Sequence, residues 1–148
     1  MCSAIRKNRS LICSDFSSSL VESIEATKKC IEIVMFDWRW YENEPANKMQ
    51  VINNALVRAV RRGVLIRSVT SSLEIVEILK SVGIQSKKIK TKRLLHSKLI
   101  IFDKEYICLG SHNFSISAMQ SNIETSAIVH DAELCANYSQ FFENLWQS

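Results

Sequence analysis

The sequence predicts an α/β fold, a layered α/β/α sandwich in which a mixed β-sheet is flanked by helices. Three observations point there. Short β-branched runs of strand length alternate with segments of helical periodicity. Two of the helical segments stop at a glycine, Gly63 and Gly83. At 148 residues, 47% hydrophobic and 23% charged, the chain has the size and composition of a single soluble domain spanning residues 1–148, with no repeat, linker or low-complexity tract.

Each element follows in order. Ser14-Asp15 is placed to cap a helix through SSSLVESIEATKK, with Leu20, Ile24 and Ala26 inward. CIEIVMF reads as a short buried strand. Asn47 to Arg62 is a helix carrying Val51, Ala55, Leu56, Ala59 and Val60 at helical spacing. VLIRSVT is a strand, SLEIVEILKSVG a helix, and IQSKKIK a short exposed edge. His96 to Asn113 (HSKLIIFDKEYICLGSHN) alternates as a hairpin. A short helix near SISAM, a strand NIETSAIVH and a closing helix from Asp131 to Trp146 complete the chain.

Composition narrows the class further. No apolar run approaches a membrane span, and MCSAIRKNRSLICSDF lacks the apolar stretch of a signal peptide. The five cysteines are odd in number and show no CxxC spacing; Cys30 and Cys108 sit in strand-like runs. Reduced core thiols, a cytoplasmic location and no stable membrane association are expected. The net charge of +4 is unevenly spread: Arg58 to Lys98 holds eleven basic residues against two acidic, net +9, and the remainder is net −5. A basic middle leading into the hairpin suggests a surface for polyanions, although charges of this kind also solubilise helix faces.

The hairpin carries polar residues that a core does not need. Side chains alternate along a strand, so His96 and Lys98 share a face while Leu99 and Ile101 take the other. Asp103 has the opposite parity and lies at the turn. Ser111 and Asn113 share a parity after Gly110, which permits a tight turn or close backbone approach. Asn122, Glu124 and Ser126 share a face on the next strand, from which Glu124 is expected to reach the imidazole of His96. Histidine serves as nucleophile or proton shuttle near neutral pH, and an ammonium with an amide holds phosphate oxygens as charge develops. His112 and His130 are separated singles that form no metal-ligand cluster.

These residues, His96-x-Lys98-(x)4-Asp103-(x)6-Gly110-Ser111-x-Asn113, resemble the HxK(x)4D(x)6GSxN signature of the phospholipase D superfamily, with Asn122-x-Glu124 as its continuation. The sequence is similar to the single-motif branch that includes Nuc-type bacterial endonucleases and mitochondrial cardiolipin hydrolases of the Zucchini kind. The resemblance implies a metal-independent phosphodiesterase with no cofactor and two copies of the motif, hence a homodimer. One His96 forms a phosphohistidine and the other protonates the leaving oxygen, then activates water. Lys98 and Asn113 bind phosphate; Ser111 and Glu124 support and orient. The signature also includes Asp103 among the site residues, whereas its parity gives it a structural role. Many relatives carry an acidic residue after the strand that follows Arg-Gly-Val; here the strand runs into Ser71-Ser72.

For the substrate, the basic segment favours nucleic acid, DNA or RNA, over a phospholipid. Trp38, Arg39 and Trp40 follow the first buried strand, whose end is expected to open near the site. Stacking on bases, anchoring at a lipid interface and covering the core all stay open for them. A binding module without turnover is a third class, opposed by the intact His96 and Lys98.

Overall fold

A computed structural model describes residues 7–148. Seven strands form one mixed sheet in the order β1-β7-β6-β5-β2-β3-β4. The strands are β1 (Arg9–Ile12), β2 (Cys30–Met35), β3 (Leu65–Thr70), β4 (Gln85–Lys88), β5 (Lys98–Phe102), β6 (Tyr106–Gly110) and β7 (Thr125–Val129). The helices are α1 (Asp15–Ala26), α2 (Lys48–Arg61), α3 (Leu73–Ser81), α4 (Ile116–Gln120) and α5 (Ala132–Gln147). β2, β3 and β4 run parallel, and β5, β6, β7 and β1 are antiparallel to their neighbours. The predicted sandwich is observed, and the two halves meet where β2 pairs with β5.

The register sorts the core into two layers. Ile31, Ile33 and Met35 of β2 and Ile100 and Phe102 of β5 face α1 to α4. Val34, Leu99 and Ile101 face α5 through Cys135 and Phe142. Strands buried on both faces read as continuous apolar runs, which is why CIEIVMF and KLIIF look alike in sequence. Gly63, at φ +93°, turns the chain out of α2, a conformation that costs a side-chain-bearing residue more.

Three local expectations are corrected, and one strand is added. β1 was not foreseen: its four residues are mostly exposed, and it exists only as an edge added to β7. Residues 1–6 of the amino-terminal stretch MCSAIRKNRSLICSDF, including Cys2, lie outside the described residues. Ser14 makes no side-chain cap bond, and Ala26 is exposed while Ser23 and Thr27 turn inward, the Thr27 hydroxyl donating to the Ser23 carbonyl at 2.8 Å. On α2, Val51 faces solvent and Val60 is half-buried, whereas Gln50 and Asn53 are buried. Those two amides hold a loop described below, so polar letters occupy inward positions that apolar periodicity assigns to hydrophobes.

Candidate active site

The site lies where the two halves of the sheet meet, at the end formed by the carboxyl ends of β2, β3 and β6 and the amino ends of β5 and β7. The chain leaving β2 ties these ends together. Phe36 donates its N–H to the Ser97 carbonyl (3.1 Å), Arg39 to Phe114 (2.8 Å), and Phe114 to Asp37 (2.9 Å). Asn53 of α2 accepts from the Trp38 indole (2.9 Å) and donates to the Arg39 carbonyl (3.0 Å), and Gln50 accepts from the Tyr41 N–H (2.8 Å). His96, Lys98 and Asn113 thereby sit on one rigid frame, the kind of support that a reacting constellation needs.

His96 is exposed and Lys98 half-buried. The Lys98 ammonium donates to the His96 carbonyl at 2.9 Å and lies 3.4 Å from Nδ1 and 3.3 Å from Nε2. Near-equal distances to two nitrogens whose lone pairs diverge place the ammonium over the ring, so neither nitrogen is engaged along its lone pair. Phe36 packs beside both, with its ring 5.0 Å from that of His96 and 5.3 Å from Lys98 Nζ. Burial pushes the Lys98 ammonium below its ordinary value, against Glu124 and Asp37, which favour the charged form. Asn113 Oδ1 is buried without a hydrogen-bond partner among the described residues.

Ser111 and Glu124 form a second layer. The Ser111 hydroxyl donates to Glu124 Oε2 and accepts from the Thr125 N–H (3.0 Å), and Asn122 donates to Glu124 Oε1 (3.1 Å). Glu124 precedes β7 rather than lying on it, and no hydrogen bond joins it to His96 among the described residues. Gly110 serves close approach to β7, not to a ligand: a Cβ there would overlap Ser126 Oγ and the Thr125 carbonyl.

Asp103 lies at the far end of the hairpin. Its carboxylate accepts from the backbone N–H groups of Lys28 (3.0 Å), Lys29 (2.6 Å) and Cys30 (3.0 Å), clamping the α1–β2 junction. Trp38 is 4% exposed, with its indole bonded to Asn53 and its ring edge-on to Phe114, so stacking on a substrate is ruled out for it. Arg39 is exposed and paired with Asp37 at 2.8 Å, and Trp40 is half-buried against the core. His112, a separated single in the sequence, has a structural role that the sequence did not show: it is buried and stacked on Phe16, its Nε2 donating to the Cys13 carbonyl (2.9 Å) and its Nδ1 accepting from Ser126 (2.8 Å). Its parity, opposite to that of Ser111 and Asn113, was the available signal.

The basic segment proves narrower than its charge count. Arg58 and Arg62 pair with Glu25, Arg67 with Glu32 and Glu143, and Lys80 with Glu77, while Lys87 lies over Trp146. Lys88, Lys90, Lys92 and Arg93 make no ion pair among the described residues and lead directly to His96.

Residues 20–146 match the family model described as "Cardiolipin synthase, PLD-like domain". The chain belongs to the phospholipase D-like family. This PLD-like chain is 25% identical over 136 residues to mitochondrial cardiolipin hydrolase of Mus musculus, covering 88% of this chain and 58% of that protein. It is 32% identical over 100 residues to phospholipase D of Rickettsia conorii, covering 64% and 50%. The PLD-like chain thus spans little more than half the length of these relatives. Its fold matches the crystal structure of the phospholipase D family member Nuc from Salmonella typhimurium, with TM-score 0.79, 19% identity and 95% of each chain covered. No helix among the described residues is long and apolar enough to cross a membrane.

Proposed function

We propose that this PLD-like domain is a metal-independent phosphodiesterase that cleaves nucleic acid as an endonuclease, through a phosphohistidine at a site completed by a second copy. The observation that carries it is the inventory of histidines. Of the three in the chain, His112 has both nitrogens engaged in the core, and His130 packs on Tyr106 at the far end of the sheet. His96 therefore has no second imidazole within reach in its own chain. A displacement at phosphorus needs both a nucleophile and a proton donor for the leaving oxygen.

In the proposed reaction His96 attacks phosphorus and the bond to the leaving oxygen breaks, that oxygen taking a proton from His96 of the partner subunit. The same partner imidazole then takes a proton from water, whose oxygen displaces His96 and leaves a phosphomonoester. Lys98 and Asn113 hold the non-bridging oxygens, with Asn113 approached through its amide N–H groups because its carbonyl oxygen repels anions. Ser111 and Glu124 brace the end of β6. Leu73, Leu94 and Ile123, exposed at 59%, 72% and 95%, rim this end of the sheet and suit a seam between two copies. The cations at positions 88, 90, 92 and 93 favour a polyanion as substrate.

The same rim favours a second reading, a lipid phosphodiesterase whose apolar residues enter a bilayer surface. One experiment separates them. Plasmid, single-stranded DNA, RNA and cardiolipin liposomes are incubated with protein in EDTA, beside His96→Ala. Cleavage of nucleic acid that vanishes in the variant is expected. Cleavage of lipid alone moves the second reading to first, and retention of DNA without turnover identifies a binding module.

A further inference from the structure

A cleft of about 630 Å³ opens where the chains after parallel β2 and β3 separate, the position at which open α/β sheets bind ligands. It begins at the reacting centre, because Phe36 is a wall of the cleft and also the residue packed against His96 and Lys98. Trp40 and Tyr41 line one side with Phe36, and Ile75 and Ile78 line the other. Asp37 and Glu74 contribute carboxylates. Asp37 is neutralised by Arg39 at 2.8 Å, whereas Glu74, exposed in the first turn of α3, makes no hydrogen bond or ion pair among the described residues.

These features exclude two occupants. A second phosphate would meet the unpaired Glu74 carboxylate, while the Arg39 guanidinium that also lines the cleft is already paired with Asp37, and Coulomb repulsion disfavours it. An alkyl chain would lay hydrocarbon against an unpaired carboxylate and strip its water. A neutral, flat group with N–H donors on its edge satisfies both the aromatic wall and Glu74. We infer that this cleft receives the base of the nucleotide next to the scissile phosphate, and that Glu74 selects guanine there. The inference rests on the nuclease reading above. A carboxylate only accepts, through two parallel oxygens. Guanine presents two adjacent donors, N1–H and the N2 amine. Adenine and cytosine set one donor beside a ring acceptor, and uracil and thymine flank their single N–H with carbonyls. Unmatched acceptors turned toward a carboxylate are what a site of this kind rejects.

The test begins with binding, using full-length His96→Ala protein so that nothing turns over. Titration with GMP, AMP and UMP is followed by tryptophan fluorescence, Trp40 being the tryptophan that lines the cleft without being buried in the core. Saturable quenching by GMP is expected, with affinity on the order of tenfold above AMP and UMP, the effect of a charged hydrogen bond. Trp40→Phe should remove the quenching and keep an aromatic wall, and Glu74→Ala should bring GMP to the level of AMP. Quenching that survives Trp40→Phe, or GMP selectivity that survives Glu74→Ala, overturns the assignment. The wild-type protein is then given a dT strand carrying one dG, and cleavage beside dG is expected. Cleavage spread evenly along the strand overturns the guanine site and leaves the nuclease standing. No cleavage of any nucleic acid, with Glu74-dependent GMP binding intact, overturns the nuclease alone.

Discussion

Asp103 and His112 hold the candidate site in place without touching it, and both titrate in ways that link the fold to pH. Burial works to raise the Asp103 carboxyl, but the N–H groups of Lys28, Cys30 and Lys29 outweigh it and hold the group below its ordinary value of 3.8. Burial also holds His112 below its ordinary 6.5, against the Cys13 carbonyl and Glu124, so the neutral ring bridging Cys13 and Ser126 is the form the fold selects. For both groups the native state binds protons less readily than the unfolded chain. Their stabilisation is therefore complete above the unfolded values and is lost as pH falls toward the native ones, His112 from about pH 6.5 downward and Asp103 from about 3.8 downward. Asp103→Asn should lower unfolding free energy by about 2 kcal/mol at pH 7, since the amide keeps one acceptor oxygen, turns its NH2 toward an N–H that the other carboxylate oxygen had accepted, and forfeits the charge. Urea titrations at pH 7 and pH 3 test it: the gap between wild type and variant should shrink at the lower pH, and a constant gap would refute the charge argument.

At the scale of elements, α5 covers the sheet face opposite the other helices, and its hold is both apolar and ionic. Phe142 is fully buried, and the Arg67 guanidinium lies 5.0 Å from its ring and 5.3 Å from that of Trp146. The same guanidinium donates to Glu32 at 3.1 Å and to Glu143 at 2.7 Å. Removing one partner of such a half-buried set strands the others, whereas removing the ring leaves a cavity. Phe142→Ala should cost about 3–5 kcal/mol by chemical denaturation. Because the site is framed from the other face, by α2 through Asn53 and Gln50, residual activity below the unfolding transition should persist. Loss of activity in a folded variant would show that α5 also shapes the reacting end.

At the scale of the whole molecule, one end of the sheet gathers the features on which the proposed dimer rests. His96 stands there without a second imidazole, the buried Asn113 Oδ1 has no hydrogen-bond partner among the described residues, and three large apolar residues rim the opening. In the proposed dimer, association about a two-fold axis would supply the second imidazole and cover the rim in one step. Sedimentation should give a dimer, and Leu94→Glu, which places a charge in the seam, should give a folded monomer with cleavage reduced at least a hundredfold, the order of a lost general acid. A Leu94→Glu monomer of full activity would sink the shared site. The same variant bears on the lipid reading, where vesicle retention would fall while the oligomeric state stayed unchanged.

Local order along the chain was legible because it is carried by short-range periodicity: the alternation in KLIIF, the helical spacing of Ala55, Leu56 and Ala59, and the motif spacing from His96 to Asn113. Parity alone separated His96 and Lys98 from Asp103. What the sequence could not supply was pairing across distance. Arg67 looks like part of a basic surface until Glu32 and Glu143, 35 and 76 residues away, are brought to it. Trp38 looks available for stacking until Asn53 takes its indole. β1 is four residues with no core pattern of their own, and β7 makes them a strand. The sequence by itself determined which residues make up the candidate site and the alternation that puts His96 and Lys98 on one face. Only the tertiary structure decided which charges remain free, which aromatics are reachable and that His96 has no second histidine in its own chain, because those outcomes depend on contacts that strand order creates and periodicity does not encode.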